Sequence, residues 1–247
     1  MKKHLLLSVL LGLLMLASIN SCKTDDPDFH NNDPEMNDPN WIKLILTDKQ
    51  RGVTAIYGNY EDTLLVATLN DMYITTDKGA NWKQVYKGST GISGISSYKG
   101  ELIAFSAFGK NATHPFLFSR DNGLTWSHEG KSDALEYDDL KTSLSEIAID
   151  NNVSYLIEYR YDGINVQKDP ITDLPLPDQI YRIHGNEKTP FDLPSDRRIN
   201  CITLDKKGRL NVGTEGTRFE YTIKGNTKTY PTQTDTAILY ISRRPVK

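Results

Sequence analysis

Ser119-Arg120-Asp121-Asn122-Gly123-Leu124-Thr125-Trp126 and Thr75-Thr76-Asp77-Lys78-Gly79-Ala80-Asn81-Trp82 are two copies of one pattern. In each, a hydroxyl residue is followed two places on by an acid, then by a glycine, and three places later by a tryptophan. Asp77 to Asp121 is 44 residues, and so is Trp82 to Trp126. A fixed spacing of this size is the mark of a structural unit repeated along the chain. The residue types suit a tight turn between neighbouring strands. An aspartate carboxylate accepts hydrogen bonds from backbone N–H groups inside such a turn. Glycine takes the left-handed backbone that a Cβ resists, the hydroxyl bonds locally, and the indole packs on the next unit. Thr75, Asp77, Gly79, Trp82, Ser119, Asp121, Gly123 and Trp126 are therefore read as scaffold, with no catalysis required of them.

Around the two copies, short apolar runs alternate with turn signals, as in an all-β chain. The first unit reads Val53–Tyr57, Thr63–Thr68, Met72–Thr76 and Trp82–Val85, and the second Ile92–Ser96, Leu102–Ser106, Phe116–Ser119 and Trp126–His128. A third, degenerate unit reads Ser145–Asp150, Ser154–Tyr159, Gly163–Gln167 and Gln179–Ile183. A fourth offers Asn200–Leu204, Arg209–Gly213 and, after a long excursion, Ala237–Arg243. Leu239-Tyr240-Ile241-Ser242-Arg243 echoes Phe116-Leu117-Phe118-Ser119-Arg120 and so marks a third strand, after which the chain ends. Asn40-Trp41-Ile42-Lys43 parallels Asn81-Trp82-Lys83-Gln84, so Trp41–Leu46 is expected to supply the missing fourth strand. Pairing the first strand with the last unit would hide two edges that otherwise invite aggregation.

The S/T-x-D-x-G-x-T/N-W pattern resembles the Asp-box, or BNR repeat, of sialidase-like β-propellers. The resemblance implies an all-β fold: a small β-propeller of four or five blades with Asp-box turns, its ring closed by the N-terminal strand. The 207 residues from Trp41 hold between four and five 44-residue periods. A β-sandwich would show similar strands but gives no reason for that register.

Outward from the repeat domain, residues 41–247, the N-terminus carries an address. Lys2 and Lys3 precede the apolar run Leu5–Ala17, 13 residues long, where a membrane-spanning helix takes about 20. A basic start, a short apolar core and small residues after it make residues 1–21 a signal peptide. Ile19-Asn20-Ser21-Cys22 resembles the lipobox of bacterial lipoproteins, which implies lipidation at Cys22. Residues 22–40 hold six acids, three prolines and four asparagines; such a segment cannot offset its ordering entropy by burial and is expected to be a disordered tether. Lys23-Thr24-Asp25-Asp26 resembles the acidic signals that send some lipoproteins to the cell surface. The expected location is the bacterial outer membrane, lipid-anchored and open to surface exposure. The only membrane contact expected is that anchor.

The net charge of −3 resides in the N-terminal segments, because residues 41–247 carry 26 basic and 26 acidic side chains. A neutral domain has no electrostatic reason to seek a phosphate backbone, so nucleic acid is not an expected partner. Cys201 sits among strand formers in Ile199-Asn200-Cys201-Ile202-Thr203-Leu204 and reads as a core thiol. The scattered His114, His128 and His184 have no metal-ligand spacing, and neither metal nor cofactor is expected.

Function would reside in the long loops on the face opposite the Asp-box turns, at 107–115, 129–143, 184–198 and 216–236. Their candidate binding residues are Lys110, His114, Tyr137, Asp138, His184, Arg197 and Arg218. Mixed charge with tyrosine suits a protein or glycan surface, and the reading is a monomeric binding scaffold at the cell envelope. The alternative is a reduced sialidase-like glycoside hydrolase. The resemblance to sialidases implies three arginines clamping a carboxylate beside an acid, and Arg51, Arg160, Arg182, Arg197 and Arg218 offer no motif that singles out three. The Arg-Ile-Pro motif is absent, and Glu136-Tyr137-Asp138-Asp139 is as consistent with a solvated loop as with paired carboxylates.

Overall fold

The computed structural model describes residues 38–49, 52–106, 111–112, 114–129, 142–143, 145–161, 175–218, 222–224, 227–229 and 236–246. Residues 1–37, which include the expected signal peptide, Cys22 and most of the expected tether, lie outside the described residues; at the end of the expected tether, Asp38 Oδ1 accepts from the N–H groups of Asn40 at 2.7 Å and Trp41 at 3.0 Å. Every regular element among those described is a strand.

The first strand among the described residues is β1 (Trp41–Lys49). Next, β2 (Val53–Gly58), β3 (Leu64–Thr68), β4 (Asp71–Thr75) and β5 (Lys83–Lys87) form an antiparallel sheet in chain order. After β6 (Gly94–Tyr98) and β7 (Glu101–Ser106) come the two-residue β8 (Asn111–Ala112) and then β9 (His114–Ser119). These give a three-stranded sheet β6-β7-β9, while β8 pairs with β10 (Thr142–Ser143). The next sheet is β11 (Glu146–Ala148), β12 (Val153–Tyr161), β13 (Pro175–His184) and β14 (Glu187–Phe191), again in chain order. Last come β15 (Arg197–Leu204), β16 (Leu210–Arg218), the small hairpin β17 (Thr222–Lys224) and β18 (Thr227–Thr229), and β19 (Thr236–Ser242). The final sheet has the order β1-β19-β16-β15, with Trp41 opposite Ser242 and Ile45 opposite Ile238. The expected pairing of the first strand with the last sheet is present, and β19 is that sheet's third strand.

The core explains why the strands read as apolar runs and not as clean alternations. Successive side chains of a strand point to opposite faces, and in several strands both faces are covered. Leu64 and Val66 of β3 pack with Leu44, Leu46, Leu239 and Ile241 of the last sheet, whereas Leu65 and Ala67 pack with Ile95, Leu102 and Leu117 of the three-stranded sheet. Within β19, Leu239 and Ile241 face the β2–β5 sheet, while Ile238 and Tyr240 join Tyr155, Ile157 and Ile180 of the β11–β14 sheet. Three cores thus link four sheets face to face among the described residues. Gly213 of β16 sits where β2 approaches: a Cβ there would lie 2.6 Å from Val53 Cγ1 and 2.8 Å from Cys201 Sγ.

Two sequence readings need correction. The fourth strand expected at Gln179–Ile183 lies inside β13, the third strand of its sheet, and the fourth is β14, inside what reads as a loop. Period counting fails there because the connection before β13 is long, which displaces the later strands from the 44-residue frame; the expected strand 163–167 lies outside the described residues. The strand expected at Trp126–His128 is reduced to one bridge, Phe118 to Ser127.

Candidate functional site

The two copies of the turn are built alike. In the first, the Thr75 hydroxyl donates to Asp77 Oδ1 at 2.8 Å and accepts from the Gly79 N–H at 3.0 Å. Asp77 also accepts from the Asn81 backbone N–H at 2.9 Å and its side-chain amide at 2.7 Å. In the second, the Ser119 hydroxyl donates to Asp121 at 2.8 Å and accepts from Gly123 N–H at 2.8 Å; Thr125 donates to Asp121 through its N–H at 2.9 Å and its hydroxyl at 2.6 Å. Both turns place two successive residues in the left-handed region, Lys78 and Gly79 (φ 62° and 82°) and Asn122 and Gly123 (φ 58° and 88°). Trp82 packs against the last sheet's core, while Trp126 donates its indole N–H to the Gly123 carbonyl at 3.0 Å and packs toward the β2–β5 sheet.

Each of these aspartates is fully committed to its turn. The Asn81 amide and N–H, then the Thr75 hydroxyl, hold the Asp77 carboxyl below its ordinary range; the Thr125 hydroxyl and N–H, then Ser119, do the same for Asp121. A depressed folded-state value means the stabilisation is present above the unfolded value near 4 and is lost as pH falls through the folded one. Asp77→Ala and Asp121→Ala should each lower the thermal midpoint at pH 7, and the two losses should add, because the turns share no partner. Scanning calorimetry of both single variants and the double variant checks this, and the differences should shrink as pH drops below about 4.

The hairpin side of the molecule also carries a cavity of about 860 Å³, within the usual size range of small-ligand pockets. Four edge strands, one from each large sheet, contribute to it: β2 through Ile56, β6 through Ile95, β11 through Ile147 and β15 through Ile202. Asp62, Glu146 and Lys206 add charge to this aliphatic wall. Beside it, Arg209 ties the β15–β16 turn to the β2–β3 turn. Its guanidinium donates to Asp205 at 2.8 Å, Asn59 at 2.6 Å and Glu61 at 3.0 Å, and Glu61 also pairs with Lys207. A second, smaller cavity of about 460 Å³ lies between Trp41, Tyr155, Phe191 and the C-terminal Pro245 and Val246.

At the opposite strand ends, a polar cluster bridges the last two four-stranded sheets. Asp178 of β13 is 7% exposed; its Oδ2 accepts from the Ile199 N–H of β15 at 2.8 Å, and the Arg160 backbone of β12 also bonds to its carboxylate. Arg198 lies over the rings of Tyr161 and Tyr159, 4.9 and 5.8 Å from their centroids, and its guanidinium donates to the Tyr161 hydroxyl at 3.4 Å. Burial pushes the Asp178 carboxyl up, against the Ile199 N–H, Arg198 and the backbone and charge of Arg160; burial also pushes up Glu215 of β16, with Asp178 adding to the shift. The strands are irregular here, with bulges between Glu158 and Arg160 and between Arg197 and Cys201. Bulges re-aim side chains and recur beside functional sites.

Of the residues singled out as loop candidates, Arg197 is not in a loop. It opens β15, is fully buried, and donates to the carbonyls of Gly216 at 2.7 Å and Glu215 at 3.4 Å. His184 ends β13 beside the tight turn at Gly185, on the hairpin side and away from the expected loop face. His114 opens β9 and Arg218 ends β16, but their side chains lie outside the described residues, as do Lys110, Tyr137 and Asp138 entirely. Cys201 is 1% exposed, and burial pushes its thiol up to about 12, so it is an inert core residue. Sequence reasoning missed Asp178 and Glu215. The only signal for either was an acid within a run that otherwise reads as strand, as in Leu176-Pro177-Asp178-Gln179-Ile180.

No protein-family model matches the chain. Over 93 residues it is 33% identical to vacuolar protein sorting/targeting protein 10 of Chaetomium globosum, a match covering 37% of this chain and 6% of that protein. Among solved structures it is similar to YCF48 bound to D1 peptide, with a TM-score of 0.31 and 15% identity over 82% of this chain and 59% of that one. It is also similar to the extracellular domain of BT4673 from B. thetaiotaomicron, with a TM-score of 0.30 and 11% identity over 81% of this chain and 23% of that one. The chain therefore spans less than two thirds of the length of each of these relatives.

Proposed function

We propose that this chain is a lipoprotein anchored to the bacterial outer membrane through Cys22, and that its body is a small propeller of four or five blades, closed by β1. In this reading the propeller serves as a binding scaffold for a protein or glycan at the cell envelope. The observation that carries the binding role is the cavity framed by edge strands from four sheets, whose walls mix aliphatic, acidic and basic groups. A mostly aliphatic wall with a few charged groups suits the recognition of a ligand. Of the arginines weighed as a carboxylate clamp, Arg197 is engaged with the β16 carbonyls.

Affinity capture tests the reading. Cells carrying the tagged full-length chain are crosslinked, and the captured protein and glycan are read by mass spectrometry beside an anchored control of unrelated fold. A partner enriched with this chain, and lost when Cys22→Ala releases it from the envelope, is the expected result. Recovery of nothing above the control overturns the scaffold reading.

A further inference from the structure

The smaller cavity, of about 460 Å³, lies where the β11–β14 sheet meets the last sheet and shares no lining residue with the larger one. We propose that Trp41, Tyr155, Phe191, Arg182 and Arg244, with Asp192 beside them, form a binding site for a small aromatic monocarboxylate, a flat ring carrying one acid group on a short arm. This ligand is a second one, independent of whatever the four-strand cavity holds.

Three observations define it. The first is the aromatic lining. Trp41 and Tyr155 meet the Phe191 ring edge to face, at centroid distances of 5.8 and 4.9 Å and interplanar angles of 77° and 78°. Trp41 and Tyr155 are buried and back the group, while Phe191 is only partly buried, and Pro245 and Val246 add apolar surface. The volume falls in the lower part of the range for small-ligand pockets. A flat ring extends such an edge-to-face array and buries apolar surface as it does so.

The second is charge. Among the described residues, the charged members of the lining are Arg182, Arg244 and Asp192, two cations against one anion, a balance of +1. A cationic ligand meets two guanidinium groups, and Asp192 opposes a dianion; a monocarboxylate matches the surplus. The guanidinium fork presents parallel N–H donors that fit a carboxylate. Arg182 also bonds to the Tyr155 hydroxyl. Burial pushes that phenol up, against the charge and the bond of Arg182, so it stays neutral and does not repel an anion. Asp150 lies within Coulombic reach of Arg182 but outside the lining, and its Oδ1 accepts from the N–H groups of Asn152 and Val153 at 2.7 and 2.8 Å.

The third is that both walls are fixed by the protein's own bonds. The Trp41 indole N–H donates to the Asp192 carbonyl at 3.0 Å, which ties β1 to the end of β14. On the other wall, the Ser242 hydroxyl donates to the Arg244 carbonyl at 2.7 Å, the Arg243 N–H to the Asn40 carbonyl at 2.7 Å, and the Val246 N–H to the Gly208 carbonyl at 2.8 Å. A pocket whose backbone is already held loses little freedom when it fills.

The test is an NMR titration of the full-length protein in a nonionic detergent at pH 7, following the Trp41 indole N–H. The probes are 3-phenylpropionate, propionate as an acid without a ring, 3-phenylpropanol as a neutral ring and phenethylamine as a cation. Phenyl phosphate serves as the more highly charged anion, and N-acetylalanylphenylalanine as a polypeptide chain end bearing the same two groups. 3-Phenylpropionate should move the Trp41 signal saturably and bind about tenfold or more tighter than the acid without a ring, the alcohol or the amine. Arg244→Ala removes an exposed side chain and should weaken it roughly tenfold or more. Arg243→Ala, also exposed but outside the lining, should leave binding unchanged. Phe191→Leu keeps an apolar side chain, removes the ring, and should weaken binding as well. A Trp41 signal that stays still, that answers the alcohol or the amine as strongly as the acid, or that moves equally in Arg244→Ala overturns the proposal. Tighter binding of phenyl phosphate or of the acetylated dipeptide overturns it too, by assigning the site to a phosphate ester or to a chain end. Failure of this titration leaves the scaffold reading untouched, and failure of envelope capture leaves this site untouched.

Discussion

A chain shortened to begin at Gly52 should not fold to a stable monomer. The deletion removes β1, whose Trp41, Leu44 and Leu46 are 3%, 8% and 1% exposed and belong to two different cores. At about 1.5–3 kcal/mol for each fully buried large side chain, their loss comes to roughly 5–9 kcal/mol. The net stability of a whole domain is about 5–15 kcal/mol. The truncation also strips the outer partner from β19 and exposes Leu239 and Ile241 along a bare apolar edge, which invites pairing between copies. Circular dichroism should show loss of a cooperative melt, and size-exclusion chromatography should show aggregates. A synthetic peptide of residues 38–49 should restore the melt in part, because an added strand can pair with β19 in the vacated place. A truncated chain that melts at the parent temperature would show that β1 contributes little.

Arg209→Ala is expected to cost roughly 3–5 kcal/mol, the usual penalty for breaking a buried ion pair from one side. The Arg209 and Asp205 side chains are 5% and 0% exposed, so the substitution leaves a carboxylate in the interior with only the backbone N–H groups of Lys207 and Arg209. The same change removes the donor to Asn59 and one of the donors to Glu61, and so unties two neighbouring sheets. Urea unfolding measures the loss. Adding Asp205→Asn to Arg209→Met should recover part of it, since both charges then leave together. The pair between Lys206 and Asp62, 67% and 68% exposed, is the internal control; Lys206→Ala should change stability by about 1 kcal/mol or less. An equal effect from both substitutions would mean that burial is not what gives Arg209 its weight.

The repeat made much of this legible. A hydroxyl, an acid and a glycine at fixed offsets specify a turn through local bonds alone, so Thr75–Trp82 and Ser119–Trp126 could be read without knowing their surroundings. The pairing of β1 was legible because Trp41 stands in the register of Trp82. Legibility fails where geometry depends on distant segments. Gln179–Ile183 was placed one strand too late, since the long connection before β13 shifts the count and nothing local to β14, Glu187-Lys188-Thr189-Pro190-Phe191, announces a strand. Arg197 read as a loop cation because charge usually means solvent, whereas the carbonyls of Glu215 and Gly216 that bind it lie some twenty residues away in sequence. Asp178 and Glu215 were invisible for the same reason: their environment is made by four strands from two sheets.

The way β3 and β19 divide their side chains has a thermodynamic consequence. A layer whose two faces serve different interfaces cannot relax toward one neighbour without disturbing the other. Leu65 and Val66, adjacent in sequence, belong to separate cores, so a shift along β3 is felt on both sides of its sheet. Energetic coupling then passes from layer to layer through covalent neighbours and needs no continuous oily interior. Cooperativity follows from this sharing: the β2–β5 sheet and the last sheet are each the wall of one core and of the next, so melting on one face of either is felt on the other.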